Sequence, residues 1–202
     1  MLNTGLVAKA KGILDRIRYK EIEYSPLKID RPKRLAQSQS QAWVGLESII
    51  LDITEFSKIE RNSALEFGVE FGYSTSALAN YFKTVTGVDI FTGDPHAGHH
   101  GDIYELTKNN LREFQNIELI QSDYKDFIKS TESIFDLIHV DIIHTYEDTY
   151  NCGLWSANHS GCTIFHDTQS FPDVKRAVAD IAKKTHKKFY NYKQCSGLGI
   201  VI

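Results

Sequence analysis

Five short apolar runs, ALEFGV, TVTGVDI, IELIQ, FDLIHVD and CTIFHD, are each separated from the next by enough chain for a helix. Strands joined by long crossovers rather than tight turns run parallel, so this alternation predicts an α/β fold with a doubly wound, Rossmann-like sheet starting near Ser63. Further on, FPDVKRAVADIAKK has helical spacing, and KFYNY and GLGIVI are two strand-like runs joined by a short link, which predicts an antiparallel pair. The expectation is a sheet of about seven strands, mostly parallel with an antiparallel C-terminal strand.

The chain before this pattern reads differently. Leu6, Val7, Ala10, Ile13, Leu14 and Ile17 recur at helical spacing, YSPLKIDRPKR reads as an irregular connection, and a second helix is expected over roughly Ser38–Glu55. Residues 1–60 are therefore expected to form a helical extension and linker, with the main domain over 61–202. Of 202 residues, 42% are hydrophobic and 24% charged, ordinary material for one globular core. The net charge of −3 is uneven: residues 1–35 carry nine Lys/Arg against four Asp/Glu, leaving −8 for the rest. The basic arm reads as a solvated surface or a subunit contact, so a homodimer is expected. An acidic main domain without an N/DPPY signature argues against nucleic acid as a partner. No apolar run reaches the length of a membrane span, and charges interrupt the place where a signal peptide needs an apolar core, which predicts a cytoplasmic protein with no membrane partner. Cys152, Cys162 and Cys195 show neither CxxC nor zinc-ligand spacing.

In doubly wound sheets ligands bind beyond the carboxyl ends of the strands. The polar residues expected there are Glu66, Gly68, Glu70 and Gly72 after the first strand, Asp89 after the second, Ser122 and Asp123 after the third, Asp141 and His144 after the fourth, and His166 and Asp167 after the fifth. In LEFGVEFGYSTSALA, Gly68 and Gly72 allow a sharp turn and close approach of the backbone to a ligand, and Ser74 is placed to cap the following helix. Asp89, 17 residues after Gly72, with Ile90 beside it, stands where an acid pairs with ribose hydroxyls, and Asp123 where it accepts from the exocyclic amine of a base. The turn reads ExGxxxGxS rather than GxGxxG, which disfavours a nicotinamide dinucleotide.

Together, LEFGVEFGYSTS, VTGVDIF, LIQSDYKDF, FDLIHVDIIHTYED and CTIFHDT resemble the class I S-adenosylmethionine-dependent methyltransferases over about residues 60–202. The VDxxHxYE strand end followed by HDT is similar to the small-molecule O-methyltransferases related to macrocin and catechol methyltransferases. The resemblance implies that Glu66–Gly72 holds the methionine end of S-adenosylmethionine, Asp89 the ribose, and Ser122 and Asp123 the adenine. It implies methyl transfer to a hydroxyl of a sugar or natural product. It also implies a divalent cation, Mg²⁺ or Mn²⁺, held by Asp141, His166 and Asp167, with a nitrogen ligand moving the preference from Mg²⁺ toward Mn²⁺, Fe²⁺ or Zn²⁺. Asp141 and His144 are the expected catalytic residues, His144 as general base. His96, His99 and His100, with Tyr104, are expected in a substrate lid. Ile143 departs from the family pattern, which leaves as the alternative a cofactor-binding but catalytically idle or regulatory protein.

Overall fold

The computed structural model describes residues 20–37, 42–97 and 99–202. The helix expected over Leu6–Ile17 lies outside the described residues. Among the described residues the chain forms eight strands and six α-helices: β1 Ile22–Glu23, α1 Ile50–Ser57, β2 Ser63–Phe67, α2 Tyr73–Ala79, β3 Thr84–Asp89, α3 Tyr104–Asn110, β4 Ile117–Gln121, α4 Tyr124–Ser130, β5 Phe135–Val140, α5 Tyr146–Asn158, β6 Ser160–His166, α6 Pro172–Thr185, β7 Phe189–Tyr192 and β8 Leu198–Val201.

All eight strands join one sheet in the order β1-β7-β8-β6-β5-β2-β3-β4. Pairings from β2 through β6 are parallel, and β8 lies antiparallel to both β6 and β7. The mostly parallel doubly wound sheet is thus present, with one strand more than expected. The addition is β1, two residues of the N-terminal segment that pair parallel with β7, Ile22 opposite Tyr190. Strand order reverses between β2 and β5, which are direct neighbours, so their carboxyl ends form the crevice that such sheets offer to ligands.

The expected second helix is shorter than its periodicity implied. Residues 38–41 are not described, Gly45 has φ 109°, and only a 3₁₀ turn, Leu46–Ile49, precedes α1. Leu46, Ile49, Ile50 and Ile53 nevertheless enter one core with Ala77 and Leu78 of α2 and with the sheet. On the opposite face Cys152, Val174, Val178 and Ile181 from α5 and α6 pack against Leu65, Phe67, Ile138 and Phe165. The N-terminal segment from Lys20 therefore shares a core with the main sheet: Tyr24 donates to the Asp52 carboxylate, which also accepts from the backbone N–H of Leu27 and Lys28.

The helices that bring side chains to the crevice are well specified. Thr145 caps α5, accepting from Asp148 N at 3.1 Å and donating to Asp148 Oδ2 at 2.7 Å, with Glu147 adding favourable charge to the first turn. Pro172 opens α6, and Val174, Ala177, Val178, Ile181 and Ala182 form its buried stripe. All three cysteines are free, and burial pushes the Cys162 thiol up to about 11, so it behaves as core. Among the described residues no helix is long and apolar enough to cross a membrane.

Candidate functional site

A cavity of about 570 Å³ opens at the carboxyl ends of β2–β6. Its first wall is the turn after β2. Gly68 has φ 86°, and a Cβ there would stand 1.7 Å from the carbonyl oxygen of Asp141, so only glycine lets the tips of β2 and β5 touch. Gly72 has φ 87°, and a Cβ there would meet the Leu111 side chain at 2.7–2.9 Å. Glu70, between them, holds φ 50°, a left-handed conformation that non-glycine residues seldom adopt.

This turn is braced by Asp89. Its Oδ2 accepts from Val69 N and Glu70 N, both at 2.8 Å, and its Oδ1 from Phe91 N at 2.7 Å. A carboxylate offers about four acceptor positions, and Oδ1 keeps one for a ligand hydroxyl. Ile90 and Ser122 line the cavity beside it. Asp123 lines it too, and caps α4 by accepting from Lys125 N at 2.7 Å. Ser74 does not cap α2 as the sequence implied: Gly72 occupies the N-cap and no side chain bonds the helix end, while Ser74 sits buried in the first turn on the cavity wall.

Glu66 is placed beneath the turn rather than on the cavity wall. Fully buried, it faces its cross-strand neighbour His139, whose Nδ1 is 2.8 Å from Glu66 Oε1, and it accepts from the Thr75 hydroxyl on its other oxygen. His139, expected as an interior strand residue, is 0% exposed.

The second wall gathers charge. Asp141 follows β5, Asp167 follows β6 with φ 63°, and the His144 ring lies between them, Nε2 at 3.6 Å from Asp141 Oδ1 and 2.9 Å from Asp167 Oδ2. Despite that proximity, His144 Nε2 makes no aligned hydrogen bond. One ligand atom from each of Asp141, His144 and Asp167 falls within 4.8 Å of the others. His166, expected as a ligand, stands behind this trio. Its Nδ1 approaches Asp141 Oδ2 at 3.2 Å and Asp167 Oδ2 at 3.3 Å, and its Nε2 donates to the Cys195 carbonyl at 3.3 Å. With acceptors at both ring nitrogens, His166 is an imidazolium.

Burial opposes every one of these charges, yet their mutual attraction prevails. Burial would raise the Asp141 carboxyl, but His166 and His144 hold it far below the usual range, and His144 and His166 likewise depress Asp167. Burial would lower both imidazoles, but the two carboxylates lift His144 to about 9 and His166 to about 11.

Of the expected lid residues, His96 and His99 reach the cavity, whereas His100 and Tyr104 do not line it. His96 Nδ1 accepts from His144 N at 3.2 Å, and Phe171 stacks on the His144 ring at 4.1 Å. Tyr104 packs on Phe91 instead. Several wall residues carried no expectation: Ala42, Trp43 and Tyr73 on one side, and Tyr124, Lys125 and Asp148 on another. Asp148 accepts from Tyr124 Oη and pairs with Lys125 Nζ, both at 2.9 Å. Asp148 belongs to the HTYED run and was open to discovery there, whereas no pattern in the sequence singles out Trp43.

A methyltransferase-domain family model matches residues 65–168, just over half of the chain. No curated protein matches the chain by sequence. Among solved structures, a protein from Staphylococcus aureus provisionally described as a caffeoyl-CoA O-methyltransferase aligns at a TM-score of 0.61 and 14% identity, over 78% of this chain and 82% of that one. The amino pentose methyltransferase of calicheamicin biosynthesis from Micromonospora echinaspora, with S-adenosylmethionine bound, aligns at 0.60 and 10%, over 79% and 90%. A methyltransferase from Podospora anserina with S-adenosylhomocysteine bound aligns at 0.58 and 12%, over 77% and 76%.

Proposed function

The chain belongs to the methyltransferase-domain family of class I, S-adenosylmethionine-dependent enzymes, and on that premise we propose that it transfers a methyl group to a hydroxyl of a small molecule with the help of a divalent cation. One observation carries this reading: a carboxylate–imidazole–carboxylate trio, Asp141, His144 and Asp167, stands in the same cavity as the glycine turn and Asp89.

The residues fit both groups. Gly68 lets the turn close onto the Asp141 carbonyl at the cavity wall and Gly72 lets it pack on Leu111, so the two glycines set the path of the turn that would face the cofactor. Asp89 keeps an acceptor position for a ribose hydroxyl while its other contacts hold the turn rigid. In the trio, His144 Nε2 lies close to both carboxylates without an aligned hydrogen bond, the arrangement expected of donors facing a common centre. Two carboxylates and one imidazole suit Mn²⁺ or another borderline cation better than Mg²⁺. His144 is then a ligand in this reading rather than a free general base.

Methyl transfer is an in-line displacement, so the chain's main task is to align the acceptor oxygen and withhold water. A bound cation supplies Lewis acidity that lowers the pKa of the acceptor hydroxyl. Asp141 and Asp167 hold that position, His166 offsets their charge from behind and fixes both carboxylates, and the Cys195 carbonyl fixes His166. His96, accepting at Nδ1 from the His144 amide, ties its loop to the trio.

Titration calorimetry with S-adenosylhomocysteine, with and without Mn²⁺ or Mg²⁺, tests the reading, followed by mass detection of methyl transfer to a hydroxyl panel. Micromolar binding and chelator-sensitive transfer are expected. Transfer that survives complete chelation removes the cation from the proposal, and tight binding without transfer to any acceptor favours the idle, regulatory alternative.

A further inference from the structure

We propose that the acceptor is a hydroxyl compound bearing an ammonium group, and that phosphorylated or carboxylated acceptors are turned away by charge; this rests on the O-methyl transfer reading above. Among the described residues, the cavity wall carries seven carboxylates against one lysine and no arginine. That lysine, Lys125, is already paired with Asp148 at 2.9 Å. A divalent cation and a sulfonium in the cavity still leave an acid excess. Phosphate or a coenzyme A tail would meet no unpaired lysine or arginine among the described wall residues, and low-dielectric walls enlarge the penalty of the acid excess.

Two of the carboxylates stand apart in the chain from the Asp141 trio: Glu70 in the turn and Asp94 at the start of the loop that carries His96 and His99. Glu70 Oε1 lies 3.7 Å from His99 Nδ1, and the His99 ring is 5.2 Å from Phe71, so the acid joins turn to loop beside an aromatic wall. Acids interleaved with aromatic faces make a surface for ammonium, which is drawn to both.

Trp43 is an independent observation. It is 5% exposed, its Nε1 has no hydrogen-bond partner, and the ring lies on the same wall, tilted against His139 and His166. A buried N–H left unpaired is costly, and an acceptor oxygen admitted to it would recover the loss. An ammonium cannot take that bond but a hydroxyl or ether oxygen can, so Trp43 completes a site for a molecule with both groups.

The test is a matched charge series titrated into the Mn²⁺–S-adenosylhomocysteine complex of the full chain: glucosamine, glucose and glucose 6-phosphate, alongside dopamine, 4-ethylcatechol and 3-(3,4-dihydroxyphenyl)propionate. In at least one series the amine should bind about tenfold tighter than the anion at low salt, with the neutral compound between them and the gap narrowing as ionic strength rises. Glu70→Gln with Asp94→Asn should flatten the order, whereas Trp43→Phe should weaken all members alike and keep it. Circular dichroism melts show that each variant is folded, and the unmodified chain decides the order by itself. Equal or tighter binding of the anion overturns charge selection and leaves O-methyl transfer standing. Amine preference with the methyl found on nitrogen overturns the O-methyl reading and leaves charge selection standing. Binding of no member of either series overturns the proposal.

Discussion

The two walls of the cavity solve opposite problems. On the β2–β3 side the Asp89 carboxylate is satisfied by three backbone N–H groups, the helix cap is a glycine, and Glu66 is sealed below with His139 and Thr75. On the β5–β6 side Asp141, His144, His166 and Asp167 crowd together, and His144 has both ring nitrogens buried without an aligned partner. A wall whose donors and acceptors are fixed in advance recognises shape and costs little to organise. One that concentrates unaligned charge is built to have something added to it. On the proposed reading, cofactor recognition belongs to the first wall and cation chemistry to the second.

The sharpest way to break the comparison is Gly68→Ala, because that position joins the walls. The added Cβ would fall 1.7 Å from the Asp141 carbonyl oxygen at a φ of 86°, so β2 and β5 must part at their tips. A loss of about 3 kcal/mol or more in denaturant unfolding is expected, with S-adenosylhomocysteine binding abolished. Unchanged binding would show that the turn is not the cradle. Asp167→Asn removes one proposed ligand, from the charged wall only. Mn²⁺ affinity should fall about 100-fold, while metal-free S-adenosylhomocysteine binding stays within about twofold. Equal losses of both would erase the distinction between the walls.

Asp89→Ala tests the other side. It removes the proposed ribose partner and strands three backbone N–H groups, so cofactor affinity should drop about tenfold to a hundredfold with Mn²⁺ binding retained. Calorimetry on the same variant reads both. The smallest effect is expected at the helical margin, where Tyr124→Phe deletes one bond to Asp148 and should cost about 1 kcal/mol of stability. Burial opposes ionisation of Asp148, but Lys125, Thr145 and Tyr124 outweigh it and depress its carboxyl. A depressed carboxyl contributes stability that is complete above the unfolded pKa of about 3.9 and is lost as pH falls through the lower folded value. Asp148→Asn should therefore flatten the acid limb of the stability profile, and an unaltered limb would assign that limb to other carboxylates.

Much of the fold was legible because it is written locally. A strand of five or six apolar residues followed by a helix-length segment identifies itself by periodicity, and the order of such units fixes a parallel, doubly wound sheet. The short addition β1 was not legible: two residues, Ile22 and Glu23, carry no period, and they become a strand only because β7 presents an edge to them. The second helix was overestimated because its apolar spacing continues through Gly45, where the backbone turns away.

The candidate site divides along the same line. Chain order alone determined that glycines and acids stand at successive strand ends, since strand termini follow from strand boundaries and parallel strands end on one side. Which of those groups meet was decided only in three dimensions. Side-chain direction depends on strand parity and on the path of each loop: Glu66 turns under the sheet toward His139, His144 swings between Asp141 and Asp167, and His166 falls behind them. Trp43 reaches the same cavity from a segment with no motif of its own, because packing of Leu46, Ile49 and Ile50 onto the sheet carries it there. A linear sequence encodes the periodicities that make elements. It does not display the contacts between residues far apart in the chain, which arise only when those elements bury their apolar faces against one another.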